Sequence, residues 1–136
     1  MTRHNLFPTL AAIVVLLAVG SAYAQNIHVV ADVPFGFMLE NRSLPAGHYE
    51  IQSGPAQGVV ALRRGTEHIT FLNTNDVRTA GRTKSKLVFQ RYGDRYFLRQ
   101  VWMSGSDSGR ELPAGKLEKE LASIRKPASV AVLASK

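Results

Sequence analysis

The strongest constraint in this sequence lies between Lys86 and Met103, where two β-rich runs, Lys86 to Tyr92 and Arg95 to Met103, are separated only by Gly93-Asp94. A two-residue connection with glycine first suits a type II′ turn, whose twist matches that of the strands it joins. Such a turn sets the register, with Tyr92 facing Arg95, Arg91 facing Tyr96, Phe89 facing Leu98 and Leu87 facing Gln100. Leu87, Phe89, Tyr96, Leu98 and Trp102 then share one face. Val88, Gln90, Tyr92, Arg95, Phe97, Arg99 and Val101 share the other.

Period-two alternation recurs upstream. Ile27, Val29, Ala31 and Val33 alternate with His28, Val30 and Asp32, as in a half-buried strand. Pro34 and Gly36 interrupt the run, yet Phe35, Phe37 and Leu39 keep its parity, which predicts a bend rather than a stop. Leu44-Pro45-Ala46-Gly47 suits a type I turn. It leads into a strand with Tyr49 and Ile51 inward and His48, Glu50 and Gln52 outward. Val59 to Arg63 and His68 to Leu72 flank Arg64-Gly65-Thr66-Glu67 as a second hairpin, with Val60, Leu62, Ile69 and Phe71 as its core set. The polar stretch from Asn73 to Ser85 reads as a loop, and Ser104 to Gly109 as a Gly/Ser-rich connection. Leu117, Leu121 and Ile124 then recur at helical spacing, predicting an amphipathic helix over about 114–126 that ends before Pro127. Residues 127–136 suit an edge strand or a frayed end. The expected fold is mostly β, an antiparallel sandwich or small open barrel of roughly six or seven strands over about 26–103, with one C-terminal amphipathic helix.

At the start of the chain, Arg3 and His4 precede an apolar run from Leu10 to Val19 and the small-residue passage Gly20-Ser21-Ala22-Tyr23-Ala24. This is the tripartite pattern of a cleavable secretory signal peptide. Cleavage after Ala24 removes 1–24 and leaves 25–136 as a single β-rich domain in the periplasm or outside the cell. The apolar core from Leu10 to Tyr23 is about 14 residues long, short of the roughly 20 of a bilayer helix, so no transmembrane anchor is expected after cleavage. Arg3 is the only charged residue in the leader, so the basicity, 16 Lys and Arg against 10 Asp and Glu after cleavage, belongs to the domain. The chain has no cysteine, which excludes a disulfide framework, a thiol nucleophile and Cys-ligated metal. An exported fold without disulfides relies on packing alone. No twin-arginine pair is present, so export unfolded and without a cofactor is expected.

Catalytic motifs are scarce. Neither a Gly-x-Ser-x-Gly elbow nor a His-Glu-x-x-His helix occurs. Asp107-Ser108-Gly109 matches the nucleophile segment of trypsin-like proteases, but the chain is too short for the two barrels that such a triad needs. His28, Asp32, His48 and Glu50 fall on the outward side of two strands and would form a metal-ligand set of plausible type if the strands pair. Arg82, Lys84 and Lys86 share parity with Tyr92, beside Arg95, Phe97 and Arg99, in a basic and aromatic stripe suited to phosphate or carboxylate groups. The competing account covers Val88, Phe97 and Val101 with the helix of Leu117, Leu121 and Ile124.

Export makes nucleic acid an unsuitable physiological partner and points to an anionic cell-envelope component. The expected function is a non-catalytic binding or structural module of the envelope that contacts anionic polymers or lipid headgroups. A small apolar-ligand carrier and a metal-dependent hydrolase are the alternatives.

The leader, Val33-Pro34-Phe35-Gly36-Phe37, Leu44-Pro45-Ala46-Gly47-His48-Tyr49, the segment from Leu87 to Asp94, Tyr96-Phe97-Leu98, Val101-Trp102 and the segment from Ser108 to Pro113 together resemble an uncharacterised family of small exported bacterial β-rich proteins. The resemblance covers nearly all of the mature chain. It implies one exported β domain with a helical C-terminal segment and carries over no catalytic or binding residue.

Overall fold

The computed structural model describes residues 26–135; the leader assigned to 1–24 lies outside them. In chain order the elements are β1 (His28–Val33), β2 (Phe37–Leu39), β3 (Arg42–Leu44), β4 (Gly47–Ser53), β5 (Val59–Arg64), β6 (Glu67–Asn73), β7 (Asn75–Arg78), β8 (Lys86–Tyr92), β9 (Arg95–Trp102), β10 (Ser108–Glu111), α1 (Lys116–Ala122) and β11 (Ala128–Leu133). They form a β sandwich. One sheet has the order β1-β4-β5-β6 and the other β11-β8-β9-β10-β7, with β2 and β3 attached to the second sheet beside β9. Neighbours pair antiparallel, except that Met38 of β2 meets Phe97 of β9 in parallel.

Alternation explains the core. Val29, Ala31 and Val33 of β1 pair with Ile51, Tyr49 and Gly47 of β4, and all five side chains are buried with Val60, Leu62 and Leu72 against Phe37, Leu39, Leu87, Phe89 and Leu98 of the other sheet. Each fully buried aliphatic or aromatic side chain contributes about 1.5–3 kcal/mol relative to exposure. Pro34 and Gly36 carry the chain from the first sheet to the second, and the parity of Phe35, Phe37 and Leu39 survives the crossing. Phe35 stacks on Tyr96 with ring centroids 3.8 Å apart, and Phe37 meets Tyr49 and Phe89 edge-on. The Tyr49 hydroxyl donates to the Pro45 carbonyl at 2.5 Å, so its polar end is satisfied within the turn that launches β4.

The β8–β9 turn has the expected form, with Gly93 at φ 64° and Asp94 outside the left-handed region. The register holds from Tyr92–Arg95 to Phe89–Leu98 and then slips, so that Val88 faces Gln100 and Leu87 faces Val101. Arg99 is the extra residue of a β-bulge, which reverses the alternation beyond it. Val101, expected outward, therefore joins the core, and Trp102, expected inward, is buried outside it. A second bulge skips Ile69 between β5 and β6. Leu72 takes the core position at 1 % exposure, while Phe71, expected inside, is 53 % exposed.

The stretch read as a loop contains β7, which pairs with β10; β10 in turn begins inside the stretch read as a connection. Both strands are short and lack alternating apolar residues, so their signal is backbone pairing rather than side-chain pattern. Residues 127–136 contain a true edge strand, β11 on β8. Beyond it, Ser135 N donates to Val30 O of β1 at 2.8 Å, bridging the two sheets. The helix is shorter than the predicted 114–126, and Ile124 lies past its end at 76 % exposure.

Candidate functional site

The outer face of β8 and β9 is partly roofed by α1, and this divides the predicted basic stripe. Tyr92 and Phe97 are buried at 7 % and 4 % exposure, with their rings edge to face at 5.7 Å. Arg99 lies beneath the helix, where Nη1 donates to Glu118 Oε2 at 3.1 Å and Nη2 to Glu111 Oε1 at 3.4 Å. Glu118 is the buried residue of α1. Burial pushes its carboxyl above the ordinary glutamate range, and the Arg99 charge and hydrogen bond pull it part of the way back. The Tyr92 phenol is likewise raised, first by burial and then by the Glu118 charge, against the opposing pull of Arg99.

The remaining stripe residues separate along the hairpin. Arg82 and Lys84 are exposed on the loop before β8, and half-buried Lys86 faces Trp102. Arg95 is exposed at the opposite end, about 20 Å away at ~3.3 Å per residue. There a third arginine, absent from the sequence reading, approaches the same turn. The chain leaving α1 brings Arg125 to the β8–β9 turn, where a Cβ on Gly93 would sit 2.9 Å from Arg125 Nη1. Arg91, Arg95 and Arg125 are all exposed around this turn. None of them takes part in an ion pair among the described residues, whereas Arg78, Arg99 and Arg110 all do. Arg95 also borders an open groove of about 510 Å³, lined by Gly36, Phe37, Met38, Ser43, Asp94 and Tyr96. The sequence places Arg91 and Arg95 beside the turn, but only the path of the chain after the helix adds Arg125.

On the other sheet, β1 and β4 do pair and bring together the four predicted metal-binding residues in separate couples. His28 Nε2 lies 2.7 Å from Glu50 Oε1, and His48 Nδ1 lies 2.6 Å from Asp32 Oδ1. Both couples are on the exposed face, and no group of three His, Cys, Asp or Glu among the described residues could hold a metal ion. Asp107 pairs with Arg78 at 3.8 Å, and Ser108 begins β10. Ser123 and Lys126 have the spacing of a Ser-x-x-Lys nucleophile motif. Both are exposed, and the Ser123 hydroxyl donates to the Glu120 carbonyl at 2.6 Å at the end of α1.

Among the described residues no helix is long and apolar enough to cross a membrane. Comparison with protein-family models, with curated proteins and with solved structures finds no match.

Proposed function

We propose that this protein is an exported, non-catalytic module of the cell envelope and that it binds phosphate or carboxylate groups at the β8–β9 turn. The observation that carries this reading is that Arg91, Arg95 and Arg125 are exposed around one turn and take part in no ion pair among the described residues, with Arg95 bordering the open groove. Guanidinium groups present forked donors that match phosphate and carboxylate oxygens, and arginines in no ion pair leave those donors available. The leader pattern supports the periplasm or the exterior as the compartment, where anionic lipids and acidic polysaccharides supply such groups.

The test is sedimentation of the mature chain with vesicles containing anionic phospholipid, and retention on acidic polysaccharide, each over a salt series. Retention on at least one surface, falling with salt, and a loss of tenfold or more when Arg91, Arg95 and Arg125 are all changed to Ala, is expected. Unchanged binding by that variant, or no retention on either surface, overturns the reading.

A further inference from the structure

Among the described residues, β1, β3, β6, β7 and β11 each end a ladder of strands, and the first four carry features that resist further pairing. β1 is met by the chain end, where Ser135 N and Oγ both donate to the Val30 carbonyl. β6 is interrupted by the bulge at Ile69, whose carbonyl accepts from Arg42 Nη1 at 3.1 Å. β7 has four residues, Asp76 and Arg78 among them, and β3 has three. Short, charged or bulged edges of this kind discourage the addition of another strand. β11 has none of these features. Ala128–Leu133 contains no charge, proline or glycine, and its ladder with β8 runs through six pairs without a shift. Val130 and Val132 pack against the core, while Leu133, on the opposite face, is 63 % exposed.

The register fixes which backbone groups lie on that open edge. Ala134 N donates to Ser85 O at 2.9 Å, on the rung that follows Leu133–Lys86. Hydrogen-bonded rungs alternate along an antiparallel pair, so Val130, Val132 and Ala134 turn their N–H and C=O toward β8, while Ser129, Ala131 and Leu133 turn theirs away. Ser135, next in the outward series, obeys the same rule by donating to β1. We propose that β11 pairs antiparallel with β11 of a second copy of this chain, about a two-fold axis at Ala131. Ala131 then faces its own copy, Ser129 faces Leu133 and Val130 lies across from Val132. The outward residues are spaced symmetrically about that axis, so all three of their rungs can exchange both backbone hydrogen bonds. From 128 to 134 the chain reads Ala-Ser-Val-Ala-Val-Leu-Ala, nearly the same in both directions, as a self-complementary two-fold contact requires. The Val130–Val132 crossings supply β-branched cross-strand pairs. In a chain with 17 Lys and Arg this stretch has no charge, so pairing sets no like charges opposite one another within it. The contact is separate from anion binding at the β8–β9 turn.

The experiment is sedimentation equilibrium of the mature chain over a concentration series, beside Ala131→Lys and Ala131→Pro. Ala131 is exposed, so the single chain accommodates the lysine, whereas a dimer sets two ammonium groups face to face across the axis. Ala131→Pro removes an N–H that points away from β8, which an edge strand tolerates and a paired one does not. A reversible dimer is expected for the wild type, with association weakened tenfold or more in both variants. The lack of native cysteine gives a second readout. Ala131→Cys should oxidise to a disulfide-linked dimer, because Cα atoms of a hydrogen-bonded antiparallel pair lie about 5.5 Å apart, within disulfide reach. In Ser129→Cys the two thiols are offset by about 13 Å along the strands, and cross-linking should be far weaker. A monomer at every concentration, which leaves the edge to a strand of a different protein, overturns the proposal. So does a dimer of unchanged affinity in Ala131→Lys, or equal cross-linking at positions 129 and 131. If Ala131→Pro does not fold, Ala131→Lys and the two cysteine variants decide the outcome.

Discussion

Trp102 packs against Gly109, its register partner across β9 and β10, so closely that a Cβ on the glycine would fall 2.7 Å from the indole Cε3 and 2.7 Å from the Val101 carbonyl oxygen. The glycine makes room for an indole on the outer face, where the bulge at Arg99 has sent it. Gly109→Ala meets backbone as well as ring, so no side-chain rotation relieves the clash. A cost of about 1–3 kcal/mol is expected, outweighing the ~0.4–1 kcal/mol that a Gly→Ala change supplies by restricting the unfolded chain. Urea denaturation measures it, and emission from Trp102, the single tryptophan, reports whether the ring has moved.

Arg99 and Glu118 make a contrast between two substitutions at one contact. Arg99→Ala leaves the Glu118 carboxylate buried beneath α1 without its cation, and removing one partner of a buried pair costs about 3–5 kcal/mol. Glu118→Gln removes the buried charge and keeps a hydrogen-bonding group of the same shape, while Arg99 retains Glu111. Its cost is expected to be clearly smaller. Denaturation of the two variants at neutral pH checks the order, and equal losses would mean that the buried carboxylate does not depend on Arg99.

The inner faces were legible wherever strict alternation ran unbroken. Val29, Ala31, Val33, Tyr49 and Ile51 are buried as their parity required, and Gly93-Asp94 sets the β8–β9 register near the turn. Alternation failed at Arg99 and Ile69, because a bulge inserts one residue and reverses every assignment beyond it without leaving a mark in composition. That is why Trp102 and Phe71 were misplaced. The basic stripe is divided for a related reason: Arg99 belonged to the correct face, but the helix brings Glu118 onto it. Glu118 stands among Lys116, Lys119 and Glu120 and looks like one more solvent-facing charge. An arginine on a sheet face expected to lie under a helix was the available signal, since such a position requires a carboxylate from the covering element. Arg125 gave no comparable signal, because its approach to Gly93 depends on how the chain leaves α1.

The raised carboxyl of Glu118 makes stability depend on pH in a defined direction. The folded chain holds this proton over a range where the unfolded chain has released it, so stability contributed here is greatest at low pH. It falls as pH rises from about 4.5, the ordinary glutamate value, to the raised folded value. Glu118→Gln should remove that decline while leaving contributions from other carboxylates. The same sign applies at alkaline pH to Tyr49 and Tyr92, whose phenols are both raised above 10.0, chiefly by burial. Stability should fall again as pH climbs past 10, and phenolate absorbance of these two residues should appear later than that of an exposed tyrosine. Unfolding free energies measured across both ranges, for wild type and Glu118→Gln, test the assignment.

Phe71 and Leu72 separate the observed register of β6 from the one that unbroken alternation would give. With the bulge skipping Ile69, Leu72 faces Val60 inside the sandwich, while Phe71 lies outside opposite Ala61, its ring 4.4 Å from that of His68. Leu72→Ala then opens a cavity between the sheets and is expected to cost about 2–5 kcal/mol. Phe71→Ser removes a half-exposed ring and is expected to cost less than about 1 kcal/mol, mostly from lost contact with His68 and Ala61. In the unbulged register the ranking reverses, because Phe71 would fill the core and Leu72 would face solvent. Thermal or urea denaturation of the two single variants decides between the registers, and a larger loss in Phe71→Ser than in Leu72→Ala would remove the bulge.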